Sequence, residues 1–271
     1  MALTSTSLAD FGLDGAEHTK AAQLMAALPA ATPSQAVRFL RARKGDAAAA
    51  TEFLQQHLAW REIALPVAFE EARAECDRLK YTPLANSADG RLPDGRFVLC
   101  IRARLMGKHT YQNIREVERG ITYIFEYLEQ HVLAPLEKVA VVLSRAGASP
   151  DNFDPNWIKT VGALLQNNYP ERLLQCHVAP VPLIFRGVWE TVKWFLDPVT
   201  RQKVALHGSI EAFADVAPPA LLPRELGGER EDDFTIQSWL PAADTTSAIR
   251  LPQSVICEIE APAPAPESAS A

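Results

Sequence analysis

Cysteine is scarce in this 271-residue chain, and its four thiols are widely scattered. Cys76, Cys100, Cys176 and Cys257 form no Cys-x-x-Cys pair, which excludes the spacing of a zinc ribbon or a thioredoxin-type redox site. They read as reduced thiols of an intracellular protein. No apolar run approaches the roughly 20 residues that cross a bilayer. Met1 to Ala30 carries Asp10, Asp14 and Glu17 and no sustained apolar stretch, so it does not read as a signal peptide. A surplus of positive charge is also missing. With 27 Lys and Arg against 33 Asp and Glu, the formal net charge is −6. Proteins that bind nucleic acid broadly carry a basic face that dominates their charge balance, so no nucleic-acid partner is expected.

Catalytic signatures are absent too. There is no Gly-x-Ser-x-Gly elbow, Gly-x4-Gly-Lys-Ser/Thr loop, Gly-x-Gly-x-x-Gly fingerprint or His-Glu-x-x-His pair. The six histidines (His18, His57, His109, His131, His177, His207) are dispersed, with no two spaced i, i+4. Ser144 follows an apolar run, where α/β enzymes often place a nucleophile, but its neighbours Arg145-Ala146-Gly147 make no elbow. Neither a catalytic residue nor a metal ligand is assigned, and no enzyme is expected.

Hydrophobic residues make up 48% of the chain and aromatics 8%, enough for a substantial core in one large domain or a small domain joined to a larger one. The first 75 or so residues read as short helices. Ser34 to Lys44 has apolar residues at helical spacing until Gly45, Asp46 can cap the next helix, and Ala50, Phe53, Leu54, Leu58 and Trp60 form its stripe. From about residue 80 strands enter. Asp94-Gly95 is a turn signal before Arg96 to Ile101. A helix is predicted from Asn113 to His131, a buried strand over Val139–Leu143, a helix opened by Asp154-Pro155, and a strand from Leu173 to Val181. Strand, helix and strand at this spacing predict a parallel crossover and an α/β sheet. Phe185 to Leu196 is apolar nearly all round, so a helix there must be buried, contact lipid or cover something apolar. Asp197-Pro198 caps a new turn, Val204–Leu206 is a short strand, and Ser209 caps a further helix. Past Trp239 periodicity is lost, and the chain ends in an Ala/Pro-rich tail expected to be disordered or extended.

Several of these segments resemble one family. Arg38-Phe39-Leu40-Arg41-Ala42-Arg43-Lys44 with Asp46, and later Trp60-Arg61, is similar to the N-terminal helical region of CRAL-TRIO proteins. Asp94-Gly95-Arg96 looks like its entry into the sheet. Tyr169-Pro170-Glu171-Arg172, Phe195-Leu196-Asp197-Pro198-Val199-Thr200 with Lys203, and Leu222-Pro223 to Leu226-Gly227-Gly228 complete the pattern in order. The resemblance covers about residues 30 to 235, and within the family it is to the yeast-type phosphatidylinositol/phosphatidylcholine transfer proteins. It implies an α/β cage, mostly parallel sheet with flanking helices, preceded by a small helical lobe. The implied division is lobe 1–75, lipid-binding domain 76–240 and tail 241–271.

The resemblance also implies a site. Arg43, Lys44, Glu171, Thr200 and Lys203 match positions that bind a phosphatidylinositol head group. The chemistry is sensible: a phosphodiester wants an Arg fork, a Lys charge and a hydroxyl donor, and a carboxylate can accept from inositol hydroxyls. Phe185, Val188, Trp189, Val192, Phe195 and Leu196 match a mobile gate helix over the cavity. Each polar residue has a plainer alternative: Glu171 could pair with a nearby cation, Thr200 could cap, and Arg43 and Lys44 could serve a helix C-terminus. Arg38 and Arg41 read as surface residues or intradomain salt bridges.

Three positions depart from the pattern. Val139 and Val141 stand where hydroxyl residues serve phosphatidylcholine, which puts that ligand in doubt. Ser144 replaces a common aspartate. Leu174 replaces a frequent glycine, which would stiffen the floor beneath the gate. The expectation is a cytoplasmic monomer, transiently on membranes, that binds phosphatidylinositol and a second hydrophobic ligand. It would transfer lipid between membranes or present it to a lipid kinase. The alternatives are a lipid-sensing interaction module, and a carrier of a neutral tocopherol-, retinoid- or sterol-like ligand. The bare chain without an attached signalling domain favours transfer.

Overall fold

The computed structural model describes residues 7–68, 71–72, 81–85, 90–107, 114–182 and 186–231. Asn113, Phe185 and the tail 241–271 lie outside the described residues.

Three capped helices open the chain. Asp14 accepts the amides of Ala16 and Glu17 at the start of α1 (Gly15–Ala27). Thr32 and Gln35 form a reciprocal box ahead of α2 (Pro33–Ala42), with Pro33 at the first helical position. Asp46 takes the Ala49 amide at the head of α3 (Ala47–Ala64). Between α2 and α3 the backbone turns left-handed at Lys44 (φ 52°) and Gly45 (φ 79°), and the Gly45 amide returns to the Leu40 carbonyl at 3.0 Å. Leu24, Phe39, Leu40, Phe53 and Leu54 close this lobe around its own apolar centre.

The second part is a five-stranded sheet in sequential order. β1 (Tyr81–Pro83) runs antiparallel to β2 (Val98–Arg102). β2, β3 (Val139–Ser144), β4 (Leu173–Ala179) and β5 (Val204–Leu206) are parallel. Parallel neighbours need crossovers, and the helices supply them: α4 (Ile114–Tyr127, continued by a wider turn over Leu128–Val132) joins β2 to β3, and α5 (Pro155–Asn168) joins β3 to β4. Alternation divides each strand. Leu99, Ile101 and Val139 pack toward α4 and α5, while Val98, Cys100, Ala140 and Val142 pack under Phe213, Val216 and Leu222 of the C-terminal turns. Ser144 belongs to this second set by alternation, and its hydroxyl accepts the Ala146 amide. The last turns close tightly: a Cβ on Gly228 would lie 2.1 Å from the Leu222 carbonyl oxygen, so only glycine fits. Leu65, Val67 and Ala72, which the sequence assigns to the helical lobe, pack into the core of the cage.

The α/β expectation holds, and β1 (Tyr81–Pro83) is a strand beyond those expected. Leu174 needs correction. It is the extra residue of a bulge where β4 pairs with β3, and it is 45% exposed instead of stiffening a floor.

A buried polar network joins lobe to cage. Arg38 of α2 and Arg172 before β4 share the Glu129 carboxylate, at 3.0 Å and 2.6 Å. Arg61 of α3 forks onto Glu126 at 2.7 and 2.9 Å, and the Tyr169 hydroxyl donates to the same carboxylate. His57 lies between Gln35 and Asn168. Burial raises the Glu129 carboxyl, but Arg38 and Arg172 overcome this and hold its pKa at about 2. Arg38 therefore forms an internal salt bridge, as does Arg41, which pairs with Glu17 at 2.5 Å.

His57 gives this joint a pH dependence. Burial, helped by Arg61 and opposed by the Asn168 hydrogen bond, depresses its pKa from 6.5 to about 3. The unfolded imidazole takes a proton near 6.5, so the unfolded state binds more protons below that pH. The stability is complete above 6.5 and is lost as pH falls toward 3. His177, lowered by burial and by His207, acts in the same direction. Between pH 8 and pH 5 His57 alone accounts for about 2 kcal/mol. Urea unfolding at both pH values should show wild type losing about that much more than His57→Gln; equal losses would place the acid sensitivity elsewhere.

Candidate functional site

Between the sheet and α5 lies a cavity of about 700 Å³. Its floor is Val139, Val141 and Leu143 of β3, its side wall is Trp157, Val161 and Leu165 of α5, and Trp194 to Leu196 close it opposite. A smaller space of about 200 Å³ shares Leu143, Trp157 and Leu196 with it and extends beneath α6 (Arg186–Val192), where Val188, Trp189 and Val192 line it. Cys176 faces both, and burial pushes its thiol up to about 12, so it remains a protonated, apolar wall atom.

One end of the larger cavity is polar. Arg43, Lys44, Glu171, Thr200 and Lys203 all line it, although the sequence separates them by up to 160 positions (203 − 43). Arg43 and Lys44 arrive at the end of α2. Glu171 occupies the turn from α5 into β4. Thr200 lies on α7 (Pro198–Gln202), and Lys203 ends that helix just before β5. The polar end therefore sits at the amino-terminal ends of β4 and β5. Open α/β sheets usually bind ligands beyond the carboxyl ends of their strands.

Local contacts give each group its state. The Arg43 guanidinium stacks over the Phe53 ring at 3.6 Å. Glu171 pairs with Lys138 Nζ at 2.9 Å. The Thr200 hydroxyl donates to Asp197, which also accepts the Val199 and Thr200 amides. Burial raises the Asp197 carboxyl, but these hydrogen bonds and Lys203 hold it below the usual range. With its proton on Asp197, the Thr200 hydroxyl faces a ligand as an acceptor rather than the expected donor. Among the described residues Arg43, Lys44 and Lys203 form no salt bridge.

Lys44 and Glu171 share one further property. Among the described residues they are the two non-glycine positions with positive φ, at 52° and 60°. A left-handed lysine or glutamate costs on the order of 1–3 kcal/mol, and such strain clusters at functional sites.

The expected gate helix is shorter than its apolar run. Helix α6 ends at Val192, Lys193–Phe195 form one 3₁₀ turn, and Leu196 is extended. Asp197 caps α7 from an extended conformation and Pro198 follows it, and this geometry ends the helix. Of the predicted gate residues, Val188, Trp189 and Val192 line the smaller space, Phe195 the larger one and Leu196 both. Trp194, by contrast, is 72% exposed, with the Arg201 guanidinium 5.3 Å from its ring centre.

Two contributors escaped the sequence reading. Lys138 was an isolated cation with no pattern marking it. Gln166 of α5 pins the end of the gate, donating to the Phe195 carbonyl and accepting the Asp197 amide. A glutamine in the last turn of a helix carries no signal for that contact. Trp157 was visible only as part of an apolar stripe.

Comparisons with known proteins agree with this architecture. The model of the CRAL/TRIO domain family matches residues 84–228. The alpha-tocopherol transfer protein-like of Mus musculus is 30% identical over 211 residues, covering 75% of this chain and 60% of the relative. The phosphatidylinositol transfer protein CSR1 of Eremothecium gossypii is 26% identical over 207 residues, covering 73% and 47%. The chain spans about half the length of the curated relatives it matches. The crystal structure of Sfh5 superposes with a TM-score of 0.60 at 17% identity, covering 84% of this chain and 92% of that one. That likeness speaks for the fold. No helix among the described residues is long and apolar enough to cross a membrane.

The strain at Lys44 predicts a separation of stability from binding. Lys44→Gly should leave the unfolding free energy unchanged or raise it by up to about 1 kcal/mol, since relief of the left-handed backbone offsets the entropy glycine adds to the unfolded chain. Chemical denaturation measures this. A loss above about 1 kcal/mol would mean that the Lys44 side chain holds the fold together.

Proposed function

This chain belongs to the CRAL/TRIO domain family of lipid-binding and lipid-transfer proteins, and on that premise we propose that it binds phosphatidylinositol. The acyl chains occupy the apolar cavity, and the head group meets Arg43, Lys44, Glu171, Thr200 and Lys203. The observation that carries this reading is one apolar cavity whose polar end is lined by Arg43, Lys44 and Lys203, three cations that form no salt bridge among the described residues. A phosphodiester needs such charge, and Glu171 can accept from ring hydroxyls.

The energetics fit exchange rather than tight capture. Each methylene moved into water costs about 0.8 kcal/mol, so exposing two acyl chains would cost roughly 20 kcal/mol or more. A carrier avoids that cost when its cavity is as dry as the bilayer and its cover opens only at the membrane. Val139, Val141 and Leu143 meet the first requirement. Helix α6 with the turn after it is the proposed cover. The protein then acts as a monomer in the cytoplasm, touches membranes transiently, and moves phosphatidylinositol between them or presents it to a lipid kinase. No cofactor apart from bound lipid and no bond chemistry is proposed.

A second hydrophobic ligand shares the cavity. Val139 and Val141 offer no hydrogen bond to a choline phosphate, which argues for a neutral molecule over phosphatidylcholine. The name of the mouse relative, a tocopherol transfer-like protein, agrees with that.

Lipids extracted from purified protein and identified by mass spectrometry test the proposal. Wild type should carry phosphatidylinositol. Lys203→Ala and Glu171→Ala should retain about tenfold less or lower still, consistent with roughly 1.5–3 kcal/mol for a hydrogen bond to a charged group, while another lipid persists. Wild type without phosphatidylinositol after incubation with mixed liposomes overturns the proposal, and a different enriched lipid would favour the neutral carrier.

A further inference from the structure

Glu171 holds a backbone conformation that a glutamate does not favour by itself, and among the described residues its carboxylate pairs with Lys138. The residues on either side of it are pinned. Ahead of it, the Tyr169 hydroxyl donates to Glu126 at 3.0 Å and the Pro170 carbonyl accepts Arg38 Nη1 at 3.3 Å. Behind it, Arg172 donates Nε and Nη2 to Glu129 at 2.6 and 2.8 Å, and Nη1 to the carbonyls of Ala134 and Glu137 at 3.1 and 2.7 Å. Arg38 Nη2 completes the circuit by donating to Glu129 at 3.1 Å. Both flanks of Glu171 thus lead to one half-buried carboxylate.

Arg38 enters this circuit from the other lobe. It lies on α2, and the end of the same helix delivers Arg43 and Lys44 to the cavity. Its side chain is 3% exposed and does not line the cavity. We propose that Arg38 is a positioning residue for head-group selection: its hold on the Pro170 carbonyl and Glu129 keeps Glu171 in its left-handed presentation and sets the spacing between Glu171 on the cage and Arg43–Lys44 on the lobe. The proposal rests on the phosphatidylinositol reading above. It makes the joint between lobe and cage the determinant of head-group specificity. A ligand that uses only the apolar walls is indifferent to that joint.

The chemistry of the joint supports such a role. Buried charge is tolerated when paired and costs several kcal/mol when a partner is removed. Glu129 has two partners, so loss of Arg38 leaves it bonded to Arg172 and the fold intact. What is lost is the tether to Pro170, the residue next to Glu171. The apolar walls Val139, Val141, Leu143, Trp157, Val161 and Leu165 make none of the hydrogen bonds of the circuit.

A double-mutant cycle tests this. Binding of phosphatidylinositol with a fluorescent acyl chain is compared with binding of diacylglycerol carrying the same chain but no head group. The proteins are wild type, Arg38→Met, Glu171→Gln and the double variant, with thermal unfolding recorded for each. Arg38→Met should weaken phosphatidylinositol about tenfold and leave diacylglycerol unchanged. Added to Glu171→Gln, it should cost less than about twofold more, because its effect runs through Glu171. Equal losses for both lipids, or a full second tenfold loss in the double variant, would overturn the proposal and make Arg38 merely structural. If Arg38→Met does not fold, Arg38→Lys keeps a cation beside Glu129 but lacks the fork that spans to Pro170, and the same selective loss is expected of it. A wild type that prefers diacylglycerol would defeat the phosphatidylinositol reading together with this one, whereas additivity defeats this one alone.

Discussion

An unpaired carboxylate at the position of Glu129 would cost several kcal/mol to bury. The chain meets that cost with two guanidiniums from distant segments, Arg38 on the lobe and Arg172 at the entry to β4. The position of the mouth follows from this contact. It docks α2 against the cage, and so brings Arg43 and Lys44 to the cavity. It also holds the turn that carries Glu171. Arg61, Glu126 and Tyr169 extend the contact beneath the same turn, and His57 with Asn168 closes it on the side of α3. A polar joint of this kind adds little net stability over apolar packing, but it fixes geometry because guanidinium forks bond their acceptors directionally.

The cavity has a different physical basis. Strand β3 directs Val139, Val141 and Leu143 toward α5 and Ala140 and Val142 toward the C-terminal turns. The first side is incompletely covered, since α5 stands against the sheet and the segment from α6 to Leu196 forms the remaining wall. An apolar space beside a charged rim is suited to an amphiphile. Lys44 and Glu171 adopt strained backbone at that rim, as expected of residues whose position matters more than their comfort.

The local sequence foretold many elements. The caps at Asp46, Asp154 and Asp197 and the short strands Val139–Ser144 and Val204–Leu206 are present near where their patterns predict. The gate was legible as an apolar run, but not its end: Asp197-Pro198 outweighs helical propensity over Lys193 to Leu196. Leu174 went wrong because a bulge, invisible in period-two alternation, turned it outward. Lys138 and Gln166 had no pattern at all, since their partners Glu171 and Asp197 lie 33 and 31 positions away.

What the sequence alone determined is therefore local or chemical. Apolar periodicity and capping side chains act within a few residues, so they specified the helices, the strands and the parallel crossover. Residue types and motif order supplied the five polar candidates. Only the tertiary structure decided that these five share one cavity and that its polar end lies at the amino-terminal side of β4 and β5. The reason is that such contacts close loops of tens to more than a hundred residues. Their geometry depends on how helices dock on the sheet, and no neighbouring residue records that.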